Sequence, residues 1–145
     1  MLLNPDARGL TLLNPWAHAI THLGKTVENR SWTAPQWLDQ ILIHAGAGWD
    51  PEAPFFLGDL GLTAPMPKEI QTSAVVAVAN LAHCCDTTVG ETDARCGCGP
   101  WAAYGQYHWV LCDIAVLAEP VPCAGKLRLW RPSADVLAAV KEQVQ

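Results

Sequence analysis

Apolar residues along the chain gather into short runs, broken by two long stretches rich in Gly, Pro and polar residues. Gly9 to Leu13 is an apolar run of strand length. Asn14-Pro15 then predicts a helix start, with Asn14 as N-cap and Pro15 at the first helical position. The helix is expected from about Pro15 to Leu23, with Ala17, Ile20 and Leu23 on its apolar side. Gly24 stands where a left-handed residue ends a helix. Lys25 to Trp32 predicts a strand whose period of two puts Thr26, Glu28, Arg30 and Trp32 on one face. Gln40 to His44 predicts a second, with Leu42 and His44 on one side.

Residues 45–68 read as a long connection with one short helix near Phe55 to Leu60. Ser73 to Leu81 is apolar on both faces, the mark of a central strand. Residues 83–105 form a second long loop. Tyr107 to Leu117 and Lys126 to Trp130 predict two more strands. Ser133 caps a last helix in which Val136, Leu137, Val140 and Val144 form an apolar stripe. About five or six strands with a helix near each end predict an α+β fold, a small, partly closed β-barrel with flanking helices. One domain over residues 1–145 is expected. Long loops rather than regular helices separate the strands, which argues against a doubly wound sheet.

Composition narrows the function classes. The 145 residues are 50% hydrophobic and 16% charged, the opposite of a disordered chain. Seven Trp bring seven indole N–H groups that need partners, which places several at a cavity or its rim. The longest apolar run, Ala74 to Ala79, is far too short to cross a bilayer, and the N-terminus lacks a basic-then-apolar export pattern. A cytoplasmic protein with no membrane partner is therefore expected, its six Cys serving as thiols or metal ligands. The net charge is −5, and the nine Lys and Arg are scattered, for example at Arg8, Lys68 and Arg95. Only Lys126, Arg128 and Arg131 approach a cluster. That excludes tight binding along duplex DNA and leaves room for a small ligand.

Gly24-Lys25-Thr26-Val27-Glu28-Asn29-Arg30-Ser31-Trp32 concentrates an acid, two bases, two hydroxyls and an indole beside a helix end. From the residues alone two readings stay open. Glu28 and Arg30 make a plain surface salt bridge, or they face a pocket with Lys25. In the pocket reading Glu28 accepts from a base N–H, Lys25 meets a phosphate or carbonyl, and Trp16 or Trp32 stacks on the ring.

The string Gly24-Lys25-x-x-Glu28-x-Arg30 resembles the signature of the ASCH family in the PUA-like superfamily. The flanking Leu13-Asn14-Pro15-Trp16-Ala17, Ile41-Leu42-Ile43-His44-Ala45 and Ala74-Val75-Val76-Ala77 resemble it too. So do His108-Trp109-Val110-Leu111, Pro120-Val121-Pro122 and Leu129-Trp130-Arg131-Pro132. The resemblance implies a β-barrel with a cleft lined by the motif strand, the first helix and the strand carrying His44. It also implies RNA or nucleoside/nucleotide binding by Trp16, Lys25, Glu28, Arg30, Trp32 and His44. Some small bacterial members hydrolyse the acetyl amide of N4-acetylcytidine, and one cleaves single-stranded RNA. If the chain is such an enzyme, Lys25 and Glu28 are the catalytic pair. The amidohydrolases carry a Thr nucleophile where Glu28 stands here, and a carboxylate does not replace an activated hydroxyl. Nucleobase binding is thus the first expectation, hydrolysis of a modified nucleoside or RNA the second.

His83-Cys84-Cys85 and Cys96-Gly97-Cys98 bracket an acidic loop containing Asp86, Glu91 and Asp93. Four soft ligands drawn from His83, Cys85 (or Cys84), Cys96 and Cys98 would suit a structural zinc. A loop of free thiols is the alternative, and a zinc-stapled protein-interaction surface is the third functional reading. His18 and His22 share a helix face and read as exposed. His108 reads as a packing or surface residue, Cys112 as a core thiol and Cys123 as a loop thiol.

Overall fold

The apolar runs become six strands of a single sheet. A computed structural model describes residues 1–87 and 96–145. The acidic positions Glu91 and Asp93 and the cation Arg95 lie outside the described residues. The strands are β1 (Arg8–Asn14), β2 (Val27–Arg30), β3 (Gln40–Trp49), β4 (Ala74–Cys85), β5 (Tyr107–Pro122) and β6 (Leu129–Trp130). The helices are α1 (Trp16–His22), α2 (Ala53–Asp59) and α3 (Ala134–Val144). The order across the sheet is β2-β5-β4-β3-β1-β6. Only β1 and β3 run parallel; the other neighbours are antiparallel. The fold is α+β as expected, but the expected barrel closure is corrected: the sheet is open, with β2 and β6 at its edges.

Side chains bridge the opening instead of a backbone ladder. Four inter-strand steps separate β2 from β1, about 19 Å in a flat sheet. Yet Arg30 Nη2 donates to the Thr11 carbonyl at 3.1 Å, and the Arg128 guanidinium lies 4.2 Å from the Trp32 ring centre. The sheet must therefore curl strongly. Register shifts in the β1/β3, β3/β4 and β4/β5 ladders supply bulges that tighten such a curl.

Alternation along β3 sends side chains to two cores. Ile41 and Ile43 pack with Leu10, Leu12, Trp109 and α1. Leu42 faces the other side, with Val75, Val78 and Trp130 under Val136 and Val140 of α3. The apolar run of β4 is buried from Ala74 to Ala79. Ser133 caps α3 as expected, its Oγ accepting from the Val136 N–H at 3.2 Å. No helix of the described residues is long and apolar enough to cross a membrane.

Two local expectations are corrected. β3 continues to Trp49 through residues read as loop, because its glycines answer close packing rather than a turn. A Cβ on Gly46 would sit 2.9 Å from Thr11 Cγ2 and 3.1 Å from the Leu12 carbonyl oxygen. Asn14 does not cap α1. It ends β1, buried, and its Nδ2 donates to the Gly46 carbonyl at 2.8 Å, so α1 starts without a side-chain cap.

Candidate functional site

At the end of the sheet where β1 gives way to α1, a cavity of about 370 Å³ opens between α1, β2, α2 and the loop before β5. Leu13, Trp16, Phe56 and Ala103 line it with apolar surface, and Lys25, Glu28, Asn29, Arg30, Asp50, Glu52 and Gln106 with polar groups. That size and mixture suit a small ligand. Local sequence explains the positions. Gly24, at φ +79°, ends α1 and turns the chain so that Lys25 enters directly beneath it. Among the described residues β2 is an edge strand paired with β5 alone, and Glu28, Asn29 and Arg30 on it line the cavity.

The charges form one buried chain. Lys25 Nζ lies 3.6 Å from Glu28 Oε1, and Arg30 Nη2 lies 3.7 Å from Glu28 Oε2. Lys25 is 2% exposed and Glu28 4%. The Lys25 ammonium also donates to the Val27 carbonyl and sits 5.4 Å from the Trp16 ring centre. Burial, aided by the Arg30 charge, pulls the Lys25 amine below the usual lysine range, while Glu28 opposes that pull. Glu28 Oε1 accepts from the Asn29 N–H at 3.1 Å. Among the described residues, Glu28 Oε2, Arg30 Nε and Asn14 Oδ1 are buried atoms with no hydrogen-bond partner. Trp16 is held by its Nε1–H, which donates to Asp50 Oδ2 at 2.9 Å.

Of the expected ligand residues, Trp16, Lys25, Glu28 and Arg30 meet at this cavity; Trp32 and His44 do not. β2 ends at Arg30, so strand alternation does not carry Trp32 to the same wall. Its ring packs edge-on against Trp109 at 4.8 Å. His44 shares the Leu42 face, toward α3, and is 1% exposed. There its Nε2–H donates to the Cys123 carbonyl at 2.8 Å, and its Nδ1 pairs with Thr11 Oγ1 at 3.1 Å. The surface-salt-bridge reading of Glu28 and Arg30 is set aside by the burial of Glu28.

A second cluster lies behind the cavity wall. One ligand atom each from Cys85, Cys96, Cys98 and His108 falls within 4.8 Å of every other, a set that could hold a metal ion. The expected ligand His83 is corrected to His108. His83 is exposed on β4 opposite Val110, whereas His108 on β5 faces Cys85 directly across the ladder. Cross-strand neighbours stand about 5 Å apart, closer than residues two apart along a strand. His108 Nε2 lies 2.6 Å from the Ala103 carbonyl, which can only accept, so Nε2 carries the proton and Nδ1 offers its lone pair toward Cys96 Sγ at 3.2 Å. Hydrogen bonds from Thr87 lower the Cys85 thiol to about 7; burial and the neighbouring thiols push Cys98 up to about 12. All six cysteines are free thiols.

Sequence reasoning missed Asn29, Asp50, Phe56 and Gln106 at the cavity and His108 at the thiols. Asn29 is the most consequential. Its Nδ2 donates to the Trp101 carbonyl at 2.9 Å and its Oδ1 accepts from the Ala103 N–H at 2.8 Å, tying the loop before β5 to β2. Asn29 sits inside the motif but its partners do not, and the other residues come from distant segments that no spacing along the chain announces. Compared with family models and with curated proteins, the chain matches none.

Proposed function

We propose that this chain is an ASCH-type, PUA-like domain whose cavity binds a nucleobase, as a nucleoside, a nucleotide or one residue of a short single-stranded RNA, in the cytoplasm. The observation that carries this reading is the cavity lining itself, which brings the charges of Lys25, Glu28 and Arg30 and the Asn29 amide together beside the Trp16 ring. Glu28 Oε2 and Arg30 Nε have no hydrogen-bond partner among the described residues and are closed off from solvent, so a turn of these side chains toward the cavity would offer a ligand one acceptor and one donor. The edge of a nucleobase offers an N–H beside a carbonyl or ring nitrogen. Trp16 supplies ring surface for one face, Phe56 packs edge-on beside it, and Lys25 adds positive charge for a carbonyl. The net charge of −5 fits a single buried base better than a long phosphate track.

Titration with the four ribonucleosides and with short single-stranded RNA, followed by Trp fluorescence, tests the proposal. A saturable change is expected with at least one of them. It should weaken about tenfold or more in Glu28→Gln, which keeps shape but removes the charged acceptor. No response at millimolar ligand, or equal binding by Glu28→Gln, overturns it.

The depressed Lys25 amine favours a second reading, in which Lys25 and Glu28 move protons in hydrolysis of a modified base or of RNA. Turnover of N4-acetylcytidine or single-stranded RNA that disappears in Lys25→Met would establish it.

A further inference from the structure

The thiol cluster is built as a closed ligand set. Three sulfurs and one imidazole nitrogen already lie within 4.8 Å of one another. In a tetrahedral site with metal–sulfur bonds of about 2.3 Å, sulfur atoms stand about 3.8 Å apart, so closing the widest pairs by at most about 1 Å, with Cys96 and His108 easing slightly apart, completes it. The imidazole is oriented for the task. His108 is 1% exposed, and its Nε2–H is committed to the Ala103 carbonyl, the backbone anchor that ligating histidines commonly use. We propose that Cys85, Cys96, Cys98 and His108 form a structural zinc site, and that the ion fastens the wall of the neighbouring cavity.

The chemistry of the donors selects the ion. Thiolates with imidazole suit zinc, and four protein ligands leave no open position for substrate. On binding, each thiol gives its proton to solvent, and Zn²⁺ with three thiolates and a neutral imidazole carries a net charge of −1. The link to the cavity runs through named contacts. Cys98 packs in the same apolar group as Trp101 and Phe56. His108 grips the Ala103 carbonyl, and the Asn29 amide grips Trp101 and Ala103. Asn29, Phe56, Ala103 and Gln106 all border the cavity. An ion that ties residues 96–98 to β4 and β5 therefore clamps the start of the segment whose end forms that wall. The metal site stands without the nucleobase reading, since its test needs no ligand.

Metal analysis of reduced protein prepared without chelator should find about one zinc per chain, lost in Cys96→Ser and in Cys98→Ser and kept in His83→Ala. If the protein is isolated without zinc, cobalt(II) titration under reducing conditions should give a thiolate charge-transfer band and the intense visible bands of a tetrahedral ion. Absence of those bands, full zinc in both Ser variants, or loss of zinc in His83→Ala overturns the site. For the clamp, zinc removal should speed amide hydrogen exchange at residues 101–106 and in β2 while leaving Ile41–Ile43 unchanged. Unaltered exchange at 101–106 would refute the link to the cavity while leaving the metal site standing.

Discussion

Two buried polar clusters sit on opposite sides of Thr11, and they differ in how completely they are hydrogen-bonded. On the α3 side, the Trp130 Nε1–H donates to Thr11 Oγ1 at 3.1 Å, the Thr11 hydroxyl donates to His44 Nδ1, and the His44 Nε2–H donates to the Cys123 carbonyl. Every polar hydrogen in that chain has a destination. Gly125 packs so close to Thr11 and His44 that no side chain fits there. On the other side, the Thr11 carbonyl takes one N–H of Arg30, but Arg30 Nε and Glu28 Oε2, both closed off from solvent in the wall of a cavity, have no hydrogen-bond partner among the described residues. A closed network rigidifies a core; an incomplete one in a cavity wall leaves side chains free to turn toward a ligand. The comparison separates architecture from candidate recognition among residues of similar burial.

The largest stability effect is expected from breaking the incomplete cluster. Glu28→Ala strands the buried Lys25 beside Arg30 and should cost about 3–5 kcal/mol in urea unfolding near neutral pH. The pH dependence has a definite sign. The Lys25 amine is depressed below its ordinary value of 10.5 in the folded protein, so between the two values the unfolded chain binds more protons and stability rises with pH. Glu28 raises the Lys25 value, so its removal extends that window downward. The penalty of Glu28→Ala should therefore shrink as pH is raised toward 10, as unfolding curves collected across that range would measure.

His44→Ala attacks the completed network. It removes the acceptor of the Thr11 hydroxyl hydrogen and the donor to the Cys123 carbonyl and opens a hole against Trp130, for about 2–4 kcal/mol. If the two clusters are distinct, nucleoside affinity of the folded variant stays unchanged. A parallel loss of affinity in the fluorescence titration would erase the distinction.

Asn29→Ala is the mildest. Removing the two hydrogen bonds to the 101–103 segment should cost about 1–2 kcal/mol. Because the amide holds the cavity wall, affinity should fall along with that smaller stability loss, with hydrogen exchange rising at residues 101–106.

Much of the fold could be read from local signals. Gly24 at the end of α1, Ser133 at the start of α3 and the two-faced apolar run of β4 each obey short-range rules, and the structure follows them. Errors arose where packing overrode such rules. Gly46 and Gly48 look like loop residues, yet they continue β3 because β1 leaves no space for side chains. At the site, Lys25, Glu28 and Arg30 were legible because they share one short segment. Asn29 was not, because its role depends on carbonyl and N–H groups of residues 101 and 103.

By itself the sequence determined the α+β class, the positions of most strands and helices, and the concentration of charge around Lys25, Glu28 and Arg30. Only the tertiary structure decided that the sheet stays open, that His44 and Trp32 point away from the cavity, and that His108 rather than His83 joins the cysteines. The reason is physical. Periodicity and capping act over a few residues along the chain, whereas sheet curl and cross-strand neighbours depend on how distant strands pair and where their registers slip.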